Sequence, residues 1–180
     1  PGIDIVRPAD ANETAWAWKH AIETLDHPTA LILTRQNVPT LEGTSLEGFE
    51  KGAYVIAGAD EDADVLLIGT GSEVQVAVAA REALAAEGIK ARVVSMPCRE
   101  VFERQDESYR ESVLPAGVKA RVSVEAGSPL GWREIVGDAG EIVGIDHFGE
   151  SAQGDKLLKK YGFTAENVVA KAKASLAKLA

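Results

Sequence analysis

Val65-Leu66-Leu67-Ile68-Gly69-Thr70-Gly71-Ser72 decides how this chain is read. Four consecutive apolar residues leave no polar face. Such a strand is expected to be covered on both sides, as in a parallel sheet flanked by helices. The glycine turn then opens a helix expected from Glu73 to about Glu87 and stopped by Gly88, with Ser72 and Gln75 reading as a capping box. Downstream, residues 91–96, 120–125 and 142–145 read as further strands. Short helices are expected over 101–113 and 132–136, and terminal helices over 153–161 and 164–179. In the last of these, Val168, Ala172, Ser175, Leu176 and Leu179 share one face, while Lys171, Lys173 and Lys178 fall elsewhere and read as solvated. Strands alternating with helices predict an α/β domain with a mainly parallel sheet. Upstream, Tyr54-Val55-Ile56-Ala57 reads as an antiparallel strand, because only the acidic turn over 60–64 separates it from the next.

The first 40 residues form a separate pattern. Ile3-Asp4-Ile5-Val6 alternates as a short strand, and Asp10 with Glu13 predicts a capping box opening a helix through Trp16, Trp18 and Ile22. Asp26-His27-Pro28 ends that helix, and residues 29–34 form the next strand. This is a β–α–β unit, whose crossover makes a parallel pair. Residues 38–51 lose hydrophobic periodicity and read as a linker. Some 40 residues are too few to bury a core unaided.

Composition bounds the function. Of 180 residues 46% are hydrophobic, which supports a real core, and a net charge of −9 argues against nonspecific nucleic-acid binding. No apolar run reaches the length of a membrane span. One cysteine, Cys98, excludes an internal disulfide and fits a reducing compartment. His20, His27 and His147 show no metal-ligand spacing.

Three places invite chemistry. Ala30-Leu31-Ile32-Leu33-Thr34 ends abruptly in Arg35-Gln36-Asn37. Ligands of open α/β sheets bind at that end of the strands, and a guanidinium there suits a phosphate or carboxylate. The competing reading is a surface Arg closing a strand. The Gly69–Ser72 turn resembles a phosphate cradle, but it lacks the third glycine of a dinucleotide fingerprint and the Lys-Ser/Thr of a P-loop. Ser72 capping its own helix explains it equally. Glu125 with His147 could do acid–base work. The simpler reading is a turn in which Gly149 adopts a special backbone angle and Phe148 packs beneath it. No nucleophile–base–oxyanion set is visible.

Seven segments, taken in order, resemble bacterial transketolases: Arg7-Pro-Ala-Asp-Ala-Asn-Glu13, Ala30 to Asn37, Lys51-Gly-Ala-Tyr-Val55, Gly69-Thr-Gly-Ser-Glu-Val74, Lys90 to Pro97, Tyr109 to Pro115, and Phe148-Gly-Glu-Ser-Ala152. The resemblance covers essentially the whole chain. It implies that residues 1–50 are the C-terminal end of a pyrimidine-binding domain plus linker, and residues 51–180 the C-terminal domain. The expected fold is a three-layer α/β/α domain with a mostly parallel five-stranded sheet and one antiparallel strand, preceded by a partial β–α–β unit.

The resemblance further implies a thiamine diphosphate-dependent transferase passing a two-carbon ketol unit from a ketose phosphate to an aldose phosphate in the pentose phosphate pathway. It implies a cytoplasmic homodimer acting on phosphorylated sugars, with no nucleic-acid or membrane partner. Arg35 is then expected to bind the substrate phosphate, with Thr34 standing where Ser is common in the family. Thiamine diphosphate and a divalent metal (Mg or Ca) are implied for the intact enzyme. Their ligands, and every catalytic residue, are expected outside this chain, so a truncated and inactive fragment is expected. Two alternatives stand beside this: a noncatalytic packing or regulatory anion-binding module, and the C-terminal part of another thiamine enzyme such as a dehydrogenase subunit or deoxyxylulose phosphate synthase.

Overall fold

The computed structural model describes residues 2–58 and 63–180. The N-terminal unit comprises β1 (Asp4–Val6), α1 (Ala11–Glu23) and β2 (Thr29–Leu31). β1 and β2 pair in parallel, Asp4 opposite Thr29 and Val6 opposite Leu31. Asp10 caps α1 by accepting the Glu13 amide at 2.9 Å. The Glu13 carboxylate reaches back one residue further than a capping box requires, to the Ala9 amide at 2.7 Å. β2 stops at Leu31, three residues short of the expected strand end, because among the described residues it has one sheet neighbour. The segment read as a linker is not structureless. It holds a short helix, α2 (Leu46–Glu50), capped by Ser45.

The second unit contains β3 (Tyr54–Gly58), β4 (Val65–Gly69), α3 (Val74–Ala86), β5 (Ala91–Ser95), α4 (Arg99–Glu103), α5 (Glu107–Val113), β6 (Arg121–Val124), α6 (Trp132–Val136), β7 (Glu141–Val143), α7 (Gly154–Lys160) and α8 (Ala165–Ala177). Its five-stranded sheet runs β3-β5-β4-β6-β7. All pairs are parallel except β3 with β5. β3 is antiparallel as expected, but its partner is β5, not the strand that follows it. The intervening acidic turn lies partly outside the described residues.

β4 sits at the centre, and Val65 to Ile68 are completely buried. Its alternate side chains enter two cores. Val65 and Leu67 meet Val74, Ala77, Ala80 and Leu84 of α3 and Val168 and Ala172 of α8. Leu66 and Ile68 meet Phe102, Val113 and Trp132 from α4, α5 and α6. These are the three layers the sequence predicts. Each fully buried Leu or Ile contributes roughly 1.5–3 kcal/mol.

Two local expectations fail. A 3₁₀ turn over Gly71–Glu73 precedes α3, and the Ser72 side chain caps nothing. It donates to Glu73 Oε1 at 2.5 Å, while the Gln75 amide donates to the Ser72 carbonyl at 3.0 Å. Phe148 is 97% exposed rather than packed under its turn, and Gly149 is not at positive φ. The α8 lysines reach solvent as expected and also form ion pairs: Lys171 and Lys178 hold Glu141 at 2.9 and 2.7 Å, and Lys173 holds Glu87. A charged side chain on a helix next to an opposite charge folds onto it even where solvent is available.

Candidate functional site

The residues after β2 make the site. Ile32 donates its amide to the Val6 carbonyl at 2.9 Å, so the chain still follows β1 as the strand ends. Thr34 then organises a bend: its hydroxyl donates to Gln36 Oε1 at 2.5 Å and accepts the Gln36 amide at 3.3 Å. Gln36 rests directly on Gly154 at the start of α7, where any side chain would collide with it. Arg35, between these two anchors, is exposed and makes no hydrogen bond or ion pair with any described residue. It borders a cavity of about 340 Å³ shared with Arg7, Leu33, Ser72, Ile145 and Tyr161. A cation with unused donors on a cavity wall can take an anion.

The glycine turn is different. Gly71 takes φ +63°, which only glycine adopts without strain. Its amide donates to the Arg7 carbonyl, and the Thr70 amide to the Val124 carbonyl. An anion already sits here, the Glu73 carboxylate, which is 2% exposed and accepts from Ser72, the Ala126 amide (3.2 Å) and Arg7 (3.5 Å). Buried carboxylate and committed amides do not fit a diphosphate. Among the described residues, no group of three or more His, Cys, Asp or Glu could hold a metal ion.

Among the described residues no hydrogen bond or ion pair joins Glu125 to His147. Glu125 accepts the Trp132 indole N–H at 2.5 Å and lies 3.3 Å from Arg7. His147 stacks edge-on against Tyr161, with centroids 4.8 Å apart. Cys98 is buried, and burial pushes its thiol up to about 12, far from a reactive thiolate.

Three polar knots bind the N-terminal unit to the sheet unit, and sequence reasoning missed all of them. Asp4 is buried and receives both arms of the Arg104 guanidinium at 2.8 Å. His20 hydrogen-bonds the same carboxylate at 3.0 Å, and His27 makes an ion pair with it at 3.0 Å. Arg104 foremost, then the histidines, hold the Asp4 carboxyl well below the usual carboxylate range. Glu13 is wholly buried and accepts the Tyr54 and Ser95 hydroxyls, both at 2.7 Å. Its desolvation outweighs these bonds and raises its pKa. The third knot is Arg7 with Glu73 and Glu125. One signal was available for the first. The alternation Ile3-Asp4-Ile5-Val6 places Asp4 beside Val6, and it is that face which is buried while Ile3 and Ile5 stay exposed.

A doubly wound α/β unit carrying a docked β–α–β unit is the class of protein this geometry defines. A family profile described as "Transketolase-like TK C-terminal domain" matches residues 52–164, and one described as "Transketolase, pyrimidine binding domain" matches residues 1–40. The chain belongs to the transketolase family.

It is 54% identical over 179 residues to a transketolase of Halalkalibacterium halodurans, covering 98% of this chain and 27% of that protein. Pichia stipitis transketolase in complex with sedoheptulose 7-phosphate superposes with a TM-score of 0.92 at 43% identity, over 99% of this chain and 26% of the other. A split-gene transketolase described as an inactive β4 tetramer superposes at 0.80 with 32% identity, over 98% of this chain and 59% of its own. This chain thus spans about a quarter of the length of the curated relatives.

Proposed function

We propose that the chain works as part of a thiamine diphosphate-dependent transketolase, transferring a two-carbon ketol unit between sugar phosphates in the pentose phosphate pathway. In this reading residues 1–50 are the end of a pyrimidine-binding domain plus linker, and residues 51–180 are the C-terminal domain. The enzyme is a cytoplasmic homodimer. Thiamine diphosphate and its divalent metal (Mg or Ca) are held by parts of the enzyme outside these residues. Arg35 grips the substrate phosphate. The observation that carries this is Arg35 itself: unpaired among the described residues, exposed on a cavity wall and held between two anchored neighbours. Gripping a remote phosphate orients the reacting carbon and supplies binding energy far from the chemistry.

Two measurements test the proposal. In a full-length transketolase containing this segment, Arg35→Ala removes a charge-assisted contact worth about 1.5–3 kcal/mol. The KM for phosphorylated donors rises by roughly 10–100-fold, while that for unphosphorylated donors is spared. Equal effects on both kinds of donor defeat the assignment. The 180-residue chain supplied with thiamine diphosphate and magnesium should not turn over ketose phosphate; turnover would refute the view that the catalytic centre lies elsewhere. An anion-binding module centred on the glycine turn is not favoured, since Glu73 already fills that place. Another thiamine enzyme is not favoured either, since the relatives named above are transketolases.

A further inference from the structure

In an open α/β sheet the ligand crevice lies outside the strand ends where successive connections leave for opposite faces. Here that place is between β4 and β6: α3 follows β4 onto one face, and α6 follows β6 onto the other. The residues at this point are Thr70 and Glu125. What lies there is Arg7, delivered from the end of β1. Its amide donates to the Pro97 carbonyl beyond β5 at 2.8 Å, and its carbonyl accepts the Gly71 amide at 3.0 Å. Its guanidinium lies between two carboxylates, 3.5 Å from Glu73 and 3.3 Å from Glu125.

The sheet unit prepares those carboxylates independently of Arg7. Glu73 is held by Ser72 and the Ala126 amide, and Glu125 by the Trp132 indole. Two carboxylates fixed side by side, one buried, are costly unless a cation joins them. Arg99, the other cation on this wall, is engaged by Glu103, Glu134 and the Gly131 carbonyl. Arg7 does not saturate the place. Its Nε is buried and faces Glu125 at an angle too poor for a hydrogen bond, and a cavity of about 230 Å³ lies alongside, lined by Thr70, Met96, Glu125 and Trp132.

We infer that this crevice is a guanidinium-binding site, occupied in cis by Arg7. The ligand position of the doubly wound unit is thereby used to hold the β–α–β unit, and with it the Arg35 loop, in place. The inference concerns docking and stands whether or not the chain takes part in ketol transfer.

The test uses the 180-residue chain. Arg7→Ala lowers Tm by roughly 2–4 °C. Amide exchange in β1 and β2 rises at least about tenfold, as expected for a local opening, while β4 exchange is unchanged. Ethylguanidinium at millimolar concentration recovers part of the lost Tm; ethylammonium at equal ionic strength does not, because it lacks the planar fork. Ethylguanidinium leaves β1–β2 exchange fast, since a free ligand fills the crevice without tethering the strand. The rescue disappears when Glu125→Gln is added. Unchanged exchange in β1 and β2 on Arg7→Ala, or equal rescue by ethylammonium, overturns the inference. Should Arg7→Ala not fold, Glu125→Gln alone decides: faster β1–β2 exchange supports the site and wild-type exchange refutes it.

Discussion

Val65-Leu66-Leu67-Ile68 and Ala30-Leu31-Ile32-Leu33 are both unbroken apolar runs of four, and they have opposite fates. The first is the central strand β4, paired on both edges, covered on both faces and wholly buried. The second pairs on one edge, ceases to be a strand at Leu31, and leaves Ile32 and Leu33 nearly half exposed. Residues 1–40 contain seven large exposed apolar side chains among the described residues: Ile3, Ile5, Trp18, Ile22, Leu25, Ile32 and Leu33. An apolar run states which residues favour burial; neighbours decide whether burial happens. The sheet unit holds itself by packed apolar cores. The N-terminal unit adds Val6, Ala9 and Ala17 to the larger of those cores, and charged and hydroxyl groups join it there: Asp4 on Arg104, Glu13 on Tyr54 and Ser95, and Arg7 on Glu73.

This contrast can be broken by mutation. Leu67→Ala leaves a cavity at the centre of the larger core and should cost about 2–5 kcal/mol in urea unfolding. A cost below 1 kcal/mol would mean that the centre can collapse and is not close-packed.

Asp4→Asn removes the charge that Arg104 grips through two bonds and should cost about 2 kcal/mol. The loss should appear as faster amide exchange in residues 4–31 while β4 stays protected. A uniform loss over both units would erase the distinction between them.

The pH dependence sharpens the same boundary. Asp4 has a depressed pKa, so its contribution is complete above the ordinary aspartate value and is lost as pH falls through the depressed one. His27 has a raised pKa, owing first to Asp4 and then to Asp26, and its contribution runs the other way. It is complete below the unfolded histidine value, about 6.5, and is lost as pH rises through the folded value. His20 and Arg104 face the same carboxylate, and Arg104 stays charged throughout. Docking of the N-terminal unit should therefore loosen as pH rises from about 6.5 through the raised His27 value, read by exchange in β1. His27→Gln should flatten that dependence. A slope surviving in the variant assigns it elsewhere.

The smallest effect is expected at Leu25, 91% exposed. Leu25→Ser should change stability by less than about 0.5 kcal/mol. A larger loss in the 180-residue chain would mean that this face is already covered, by a second copy for example, and a concentration-dependent Tm would identify that case.

Patterns of one to four residues, being local, were legible from the chain alone. The all-apolar run at Val65 to Ile68, the Asp10 cap, the stop at Gly88, and the alternation of strands and helices predicted three layers and a separate β–α–β unit, whereas α1 ends at Glu23, before the expected break at residues 26–28, and Arg35 is exposed four residues beyond the end of β2. Contacts between distant residues were not legible. Ser72 has the spacing of a cap, yet its hydroxyl turns to Glu73, because that carboxylate is buried beside Arg7 and needs donors. β3 looks like the partner of the next strand, yet it lies against β5. Asp4, Arg7 and Glu13 are ordinary charged residues in the sequence. Only the fold brings Arg104, Glu125 and Tyr54 to them, across 100, 118 and 41 positions of chain. A buried charge is tolerable only when its partner arrives, and tertiary structure alone decides which partner that is.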